Sequence, residues 1–362
     1  MSFDDSLLTD PERIADTDSA GVLRSLATAG AQVRSTREAA AEVGLAERVD
    51  VGRPRAVVLL ARPGGGSSAM TLLAELLAPQ VPAPVVVCDA VPQWVGPLDV
   101  VLAHGDDPGD TDLATGLERA ARHNATVVVS APEEGPIATA VAGRGVLVPA
   151  RMRVPSGLSF PRALAAGLLT ANALGVLLVD VAELADQLDR EAERGHLSRE
   201  PDSNPAKSLA LRLAGHTPLL VGLDPVAVAT ARHAEHAFAT HAGIACHVTG
   251  YRQLQVRRSL YQTALSAAAE RNIFADPDDP DSVHNTFRVA LLGLRAGHAA
   301  VTTRQHAEQL FPTAQQLVWD GEQPPEESTS AAVLALRCEL AAAYVGLAEG
   351  TGGPVDPAVA GM

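Results

Sequence analysis

Residues Pro63-Gly64-Gly65-Gly66-Ser67-Ser68 bring together glycines and hydroxyls, the two ingredients of a small-ligand cradle. Three glycines in a row let the backbone turn sharply and approach a ligand closely. Ser67 and Ser68 add hydroxyls beside the free N–H groups of a helix start, a setting that suits an oxyanion or a sugar hydroxyl. A tight strand-to-helix turn that binds nothing has the same composition, so both readings stand. The loop has no lysine and is not a nucleotide P-loop, and its glycines lack the G-x-G-x-x-G spacing of a dinucleotide site.

Three further groups of residues could do chemistry. The stretch 104–112, HGDDPGDTD, carries Asp106, Asp107, Asp110 and Asp112. Four carboxylates in one turn could hold a hard cation, or form a solvated acidic turn that supplies a helix N-cap. Arg162 follows two prolines at the start of an apolar helix, where an unpaired charge is costly. It needs a carboxylate partner or a ligand. His233 and His236 lie one helical turn apart and could share a metal. No third ligand falls at a suitable spacing, so an exposed face shared with Arg232 and Glu235 is the expectation, with no metal. No Ser-His-Asp order and no paired-carboxylate signature is present, so the catalytic residues stay unknown.

These candidates need elements to position them. The run 56–61 is short, Val/Leu-rich and not alternating, as in a strand buried on both faces. Leu72, Leu73, Leu76 and Leu77 then fall at helical spacing within 69–77. Strands are expected at 85–88, 99–103, 126–130 and 145–149, and helices at 113–124, 137–143, 163–178 and 181–193. Strands alternating with helices through short loops make a parallel sheet covered on both faces, with ligands at the carboxyl ends of the strands. Loops 62–68 and 104–112 both belong at that edge.

The second half echoes the first. Strands are expected at 217–222, 244–248, 287–292 and 314–319, with helices at 206–214, 226–240, 256–271, 298–310 and 330–347. Residues 1–17 read as loose, ahead of a helix capped by Asp18 and Ser19 and a helical piece over 35–45. An acidic turn, ADPDDPDS, occupies 275–282. The fold class is α/β, and the domain bounds are 1–45 for N-terminal helices, 46–193, 194–348 and a flexible tail at 349–362.

Composition narrows the function classes. The 362 residues are 47% hydrophobic but only 3% aromatic, so the core is Ala, Val and Leu. The formal charge of −15 argues against nucleic acid or an anionic membrane as partner, since both need basic patches. Cys88, Cys246 and Cys338 are far apart and odd in number, as free thiols of a reducing cytosol would be. The acidic N-terminus lacks a signal-peptide pattern, and a cytoplasmic location follows as an expectation.

From about residue 20 to Pro357 the chain resembles sugar isomerase (SIS) domain proteins, specifically the bifunctional phosphoglucose/phosphomannose isomerases and the actinobacterial TobH-like branch near them. The family's Gly-Met-Gly-Gly-Ser-Ala loop corresponds to Gly64-Gly65-Gly66-Ser67-Ser68-Ala69, and its Ser-Gly-Asn-Thr to Pro108-Gly109-Asp110-Thr111. Its Pro-x-Gly-Leu-x-Pro-Arg matches 155–162 with one residue extra, and its Asn-Pro-Ala-Lys matches Asn204-Pro205-Ala206-Lys207. Residues Tyr344 to Gly350 are similar to its closing helix, and Asp356-Pro357 to its Asp-Pro. The resemblance implies two SIS-type αβα sandwich domains, each with a central, mainly parallel sheet. It also implies a sugar or sugar-phosphate ligand touching Gly65, Gly66, Ser67, Ser68, Thr111 and Arg162, a homodimer, and no cofactor.

Departures from the family pattern qualify the activity. The phosphate-binding serine slots fall near Asp106 and on Pro108, so a carboxylate replaces a donor. At ~4 Å and a surface-like dielectric, like charges repel by roughly 4 kcal/mol. The catalytic Glu slot of the family holds Thr240, beside His241. Its ring-opening His slot falls near Gln255 or Val256, and its C-terminal Lys has no counterpart in the closing residues. A Thr hydroxyl cannot take a proton from a sugar carbon at neutral pH. The expectation is an isomerase-like fold with eroded catalysis; the alternative is an active isomerase in which His241 serves as base.

Overall fold

The computed structural model describes residues 3–49, 52–107, 109–155, 157–269, 287–319 and 326–351. It divides into two compact units: Ala27–Arg190, here the first, and Met1–Leu26 together with Glu191–Met362, here the second. The chain opens with a 3-10 turn, Asp5–Thr9, then α1 (Pro11–Thr17) and α2 (Val22–Leu26) of the second unit. Residues 3–17, part of a stretch expected to be loose, are ordered because they carry an apolar face. Leu8 and Ile14 are fully buried, and the Asp4 N–H donates to the Ala348 carbonyl at 3.0 Å.

The first unit begins with α3 (Ala29–Glu42) and α4 (Leu45–Arg48). Then come β1 (Ala56–Leu60), α5 (Gly65–Leu77), β2 (Val85–Cys88), β3 (Asp99–His104) and α6 (Thr111–Arg122). β4 (Thr126–Ala131), α7 (Pro136–Val141), β5 (Val146–Pro149), α8 (Phe160–Ala173) and α9 (Val181–Arg194) follow, α9 ending in the second unit. The five strands are all parallel, in the order β2-β1-β3-β4-β5. Every residue of β1 and β3 is buried, which is why their sequences are apolar without alternation. One face packs Val58, Val101 and Val127 against Leu117 of α6 and Ile137 of α7. On the other, α8 lies so close to Leu73 of α5 and Leu102 of β3 that Gly167 has no room for a side chain.

The second unit continues with α10 (Pro205–Leu213), β6 (Thr217–Gly222), α11 (Pro225–Ala242), β7 (His247–Gly250), α12 (Tyr251–Val256) and α13 (Arg258–Ala267). It ends with β8 (Phe287–Leu292), α14 (His298–Leu310), β9 (Gln315–Leu317) and α15 (Glu327–Glu349). Its four strands are parallel in the order β7-β6-β8-β9. The fold is therefore α/β with two parallel sheets, as the alternation of elements predicted. Among the described residues one helix, α15, is long and apolar enough to cross a membrane, with a mean hydropathy of 1.6. Its apolar stretch is entirely buried in the protein.

Several bounds differ from expectation, each for a local reason. The helix expected from Asp18 onward breaks after Leu26, and the piece expected at 35–45 is absorbed into α3. Asp18 does cap, accepting from the N–H groups of Val22 at 2.8 Å and Leu23 at 3.0 Å. β7 starts at His247 rather than 244, because Gly243 closes α11 in a left-handed turn and His247 is the residue that pairs with Leu219. The helix expected over 256–271 is observed as α13 alone, cut off from the preceding α12 at Arg257, whose ψ of 74° is not helical; positions 270 and 271 lie outside the described residues. α8 ends at Ala173, short of the expected 178, ahead of Gly175 at φ +65°. Pro108, Ser156, the acidic turn 275–282 and the tail from 352 lie outside the described residues.

Candidate functional site

In the first sheet the order of strands reverses at β1, which has β2 on one side and β3 on the other. Ligands in such sheets bind outside the carboxyl ends of the strands at that point. There the chain leaves β1 through Arg62, Pro63 and Gly64, and Gly64 takes φ 109°, ψ −169°, a conformation that favours glycine. The next two glycines, expected as loop, form the first turn of α5. Each is needed for close approach. A Cβ on Gly65 would come within 2.7 Å of the Gly157 carbonyl oxygen, and one on Gly66 within 2.7 Å of His104 Cδ2. Ser68 is 8% exposed and its hydroxyl donates back to the Gly65 carbonyl at 3.0 Å. Ser67 is half-buried.

The loop after β3 arrives beside this turn. His104 closes β3 on the face opposite Ala103, which packs in the α6 and α7 core. Its Nε2 lies 2.9 Å from Ser159 Oγ and 3.2 Å from Asp106 Oδ1. The Ser159 hydroxyl donates to Asp106 Oδ2, and Arg162 Nη2 donates to Asp106 Oδ1 at 2.5 Å. With Ser159 giving its proton to Asp106, both neighbours of Nε2 are acceptors, so the network places the hydrogen of a neutral ring on Nε2. Burial holds His104 below the ordinary histidine range, against the pull of Asp106. Burial pushes Asp106 up, but hydrogen bonds from His104 and Ser159 and the charge of Arg162 outweigh it and bring it down to about 2.

Arg162 thus has the carboxylate partner that its buried position demands, with a side chain 9% exposed. Asp110 does two jobs. It caps α6 by accepting from the Leu113 N–H at 2.9 Å, and it takes a bidentate pair from Arg62 at 2.8 and 3.0 Å. Asp107 is exposed and accepts from the Gly109 N–H at 2.8 Å. Three buried polar atoms at this edge have no hydrogen-bond partner: His104 Nδ1, Arg162 Nε, and the Oγ of Ser130, which sits on β4 in register with His104.

Of the residues singled out from sequence, Gly65, Gly66 and Arg162 meet around His104, Gly157 and Asp106. Thr111 is the first residue of α6 and is exposed, its carbonyl accepting from the Thr115 hydroxyl. Sequence reasoning missed His104 and Ser159. The available signal was a histidine closing an otherwise apolar buried strand, and a serine at the N-cap of a long helix that turns its hydroxyl elsewhere.

In the second unit the corresponding turn is filled. Asp224 caps α11 through the Ala227 N–H, and its other oxygen accepts from the N–H groups of Leu294 at 2.9 Å and Arg295 at 3.1 Å. The exposed histidine face expected on α11 is corrected. His233 is fully buried, with Nε2 at 3.2 Å from Glu339 on α15, because α11 is covered by α15 as well as by its sheet. His236 and His241 are half-buried, and burial holds both below the ordinary range. Thr240 is exposed. No group of three metal-ligating side chains occurs among the described residues.

No family model matches the sequence, and no curated protein matches it. Solved structures do. The C-terminal domain of glucosamine-fructose-6-phosphate aminotransferase from Francisella tularensis superposes with a TM-score of 0.62 at 11% identity, over 91% of this chain and 96% of that one. Tagatose-6-phosphate ketose/aldose isomerase from Escherichia coli gives 0.62 at 10% identity, over 92% and 94%. A glucose-6-phosphate isomerase-like protein from Thermus thermophilus gives 0.51 at 19% identity, over 84% and 88%. At these identities the likeness is one of fold, and the fold of this chain is the two-sheet αβα architecture of the sugar isomerases.

Proposed function

We propose that this chain binds a sugar or sugar derivative at the carboxyl edge of the first sheet and does not perform aldose–ketose isomerisation. The observation that carries this reading is the meeting of the Gly64–Gly66 turn, His104, Ser159 and Arg162 in one half-sheltered polar cluster. The fold likeness supports the ligand class, since two of the similar structures are named for action on hexose phosphates. The resemblance to the bifunctional phosphoglucose/phosphomannose isomerases points the same way, and Arg162 corresponds to the arginine of the family motif. What speaks against catalysis is the exposed Thr240 in the slot of the family's base, and an Arg162 already bound to Asp106.

The test is a coupled assay of the purified protein on fructose 6-phosphate, read as glucose or mannose 6-phosphate, beside a thermal-shift series with neutral sugars. No turnover, with stabilisation by a sugar that Gly66→Ala abolishes, supports the reading. Turnover overturns it. A second reading, isomerisation with His241 as base, is favoured by one observation: burial keeps that imidazole neutral and so able to accept a proton. It requires turnover that disappears in His241→Ala.

A further inference from the structure

The donors gathered at the first sheet's edge form a receptor for an anion, and the chain fills it with a carboxylate of its own. Asp106 receives the Ser159 hydroxyl, Arg162 Nη2 at 2.5 Å and His104 Nε2 at 3.2 Å, from two separate segments of chain. Charge-assisted donors converging in this way are what a protein offers to a phosphate or carboxylate group. The other cation beside the turn is cancelled in the same manner, Arg62 by Asp110. Asp107 on the same loop and Asp112 in the first turn of α6 are exposed and make no ion pair among the described residues.

We propose that Asp106 determines the ligand class of this site: as a built-in anion it holds the donors that a phosphate would need, so that the site takes an uncharged, hydroxyl-rich ligand and rejects phosphate esters. The proposal rests on the sugar-binding reading for the identity of the ligand, but not for the exclusion of phosphate. The remaining polar atoms fit a hydroxyl. A sugar hydroxyl both donates and accepts, whereas a phosphate dianion only accepts. His104 Nδ1 keeps a lone pair that needs a donor, Arg162 Nε–H needs an acceptor, and the Ser130 hydroxyl can be either. An added dianion would also stand beside the Asp106 carboxylate, which its three donors keep ionised at neutral pH against the cost of burial.

The experiment is calorimetry and thermal shift on the full chain with inorganic phosphate, glucose 6-phosphate and glucose as probes. The proteins are wild type, Arg162→Gln, Asp106→Ser, Asp106→Asn and the double variant Asp106→Ser/Arg162→Gln. Wild type is expected to show no phosphate-dependent shift. Asp106→Ser, and Asp106→Asn where the serine variant does not fold, gain at least about tenfold in affinity for phosphate and glucose 6-phosphate. The double variant loses that gain. A phosphate shift in wild type that Arg162→Gln abolishes overturns the proposal, as does a folded Asp106→Ser or Asp106→Asn that gains nothing. Gain of phosphate binding together with neutral sugars that leave wild type unmoved removes the sugar-binding reading and leaves the role of Asp106 standing.

Discussion

Arg62, two residues past the end of β1, forms a bidentate ion pair with Asp110, the N-cap of α6, at 2.8 and 3.0 Å. The two loops that frame the candidate site are therefore tied by one carboxylate that also satisfies the start of a helix. Separate substitutions divide these roles. Arg62→Ala removes the ion pair and leaves the cap, a loss of about 1 kcal/mol for a partly exposed pair. Asp110→Asn keeps an oxygen for the Leu113 N–H and costs a similar amount. Asp110→Ala loses both and costs about 2 kcal/mol. Urea unfolding gives the three values, and a ranking in which Asp110→Asn matches Asp110→Ala would show that the cap contributes nothing.

Stability should fall in two stages as the solution is acidified. His104, His236 and His241 are each held below the ordinary 6.5 by burial. The unfolded chain then binds more protons than the folded one below about pH 6.5, so stability declines as pH drops through that point. Asp106 acts lower. Its contribution is complete above the unfolded value of 3.8 and is lost as pH falls from there towards about 2, worth roughly 2 kcal/mol. Denaturant midpoints measured from pH 7 to pH 3 check this; a flat profile between pH 7 and pH 5 contradicts the first stage. Asp106→Asn should flatten the second.

A Cβ at position 66 would meet His104 Cδ2 at 2.7 Å, closer than real methyl groups come to a ring. Gly66→Ala must move the imidazole, and with it the hydrogen bonds to Ser159 and Asp106. The expected cost is about 1–3 kcal/mol, with loss of any sugar-dependent thermal shift. Ser67→Ala, at a half-buried position whose side chain makes no described hydrogen bond, serves as the control for stability.

The β1–turn–α5 unit was legible because an apolar strand, glycines and a leucine stripe follow one another within about twenty residues. Both sheets were legible for the same reason: strands buried on both faces announce themselves as Val/Leu runs. The site was legible only in part. Arg162 advertised the need for a partner, but the partner, Asp106, lies 56 residues earlier and looked like one member of a solvated acidic turn. His104 meets Ser159 across 55 residues, and only the sheet register and the start of α8 bring them together. The sequence around His233 reads as an exposed face because the residues that bury it come from α15, about a hundred positions on. Local periodicity carries no information about such distant cover.

Lys207 holds three separate pieces of the second unit on one ammonium. Its Nζ donates to the carbonyls of Leu8 at 2.7 Å, Leu197 at 2.8 Å and Arg199 at 2.9 Å, and lies 5.5 Å from the centre of the Tyr344 ring. All three protons are used and the residue is 1% exposed. Lys207→Met keeps the stem and strips the donors, leaving three carbonyls to find new ones. A loss of about 3 kcal/mol or more is expected, measured by thermal or urea unfolding. The N-terminal segment, anchored through the Leu8 carbonyl, should lose amide-exchange protection first. Equal stability in the variant would mean that the carbonyls are satisfied without the lysine.

Glu191 and Arg337 form a buried arginine–carboxylate pair in the second unit, with side chains 2% and 6% exposed and contacts of 2.6 and 3.0 Å. Arg194 adds a third contact to Glu191 at 3.3 Å. Two desolvated charges recover their desolvation cost only while both are present, so removing one is worse than removing both. Arg337→Met should cost about 3–5 kcal/mol, because it strands a carboxylate in the core with only a half-exposed arginine for company. Glu191→Leu should cost as much by stranding the guanidinium. The double variant Glu191→Leu/Arg337→Met replaces the pair with packed hydrocarbon and should recover most of the loss, a coupling energy of several kcal/mol in a double-mutant cycle. Additive losses would show instead that each side chain is held by its other neighbours, and that the pair does not join α9 to α15.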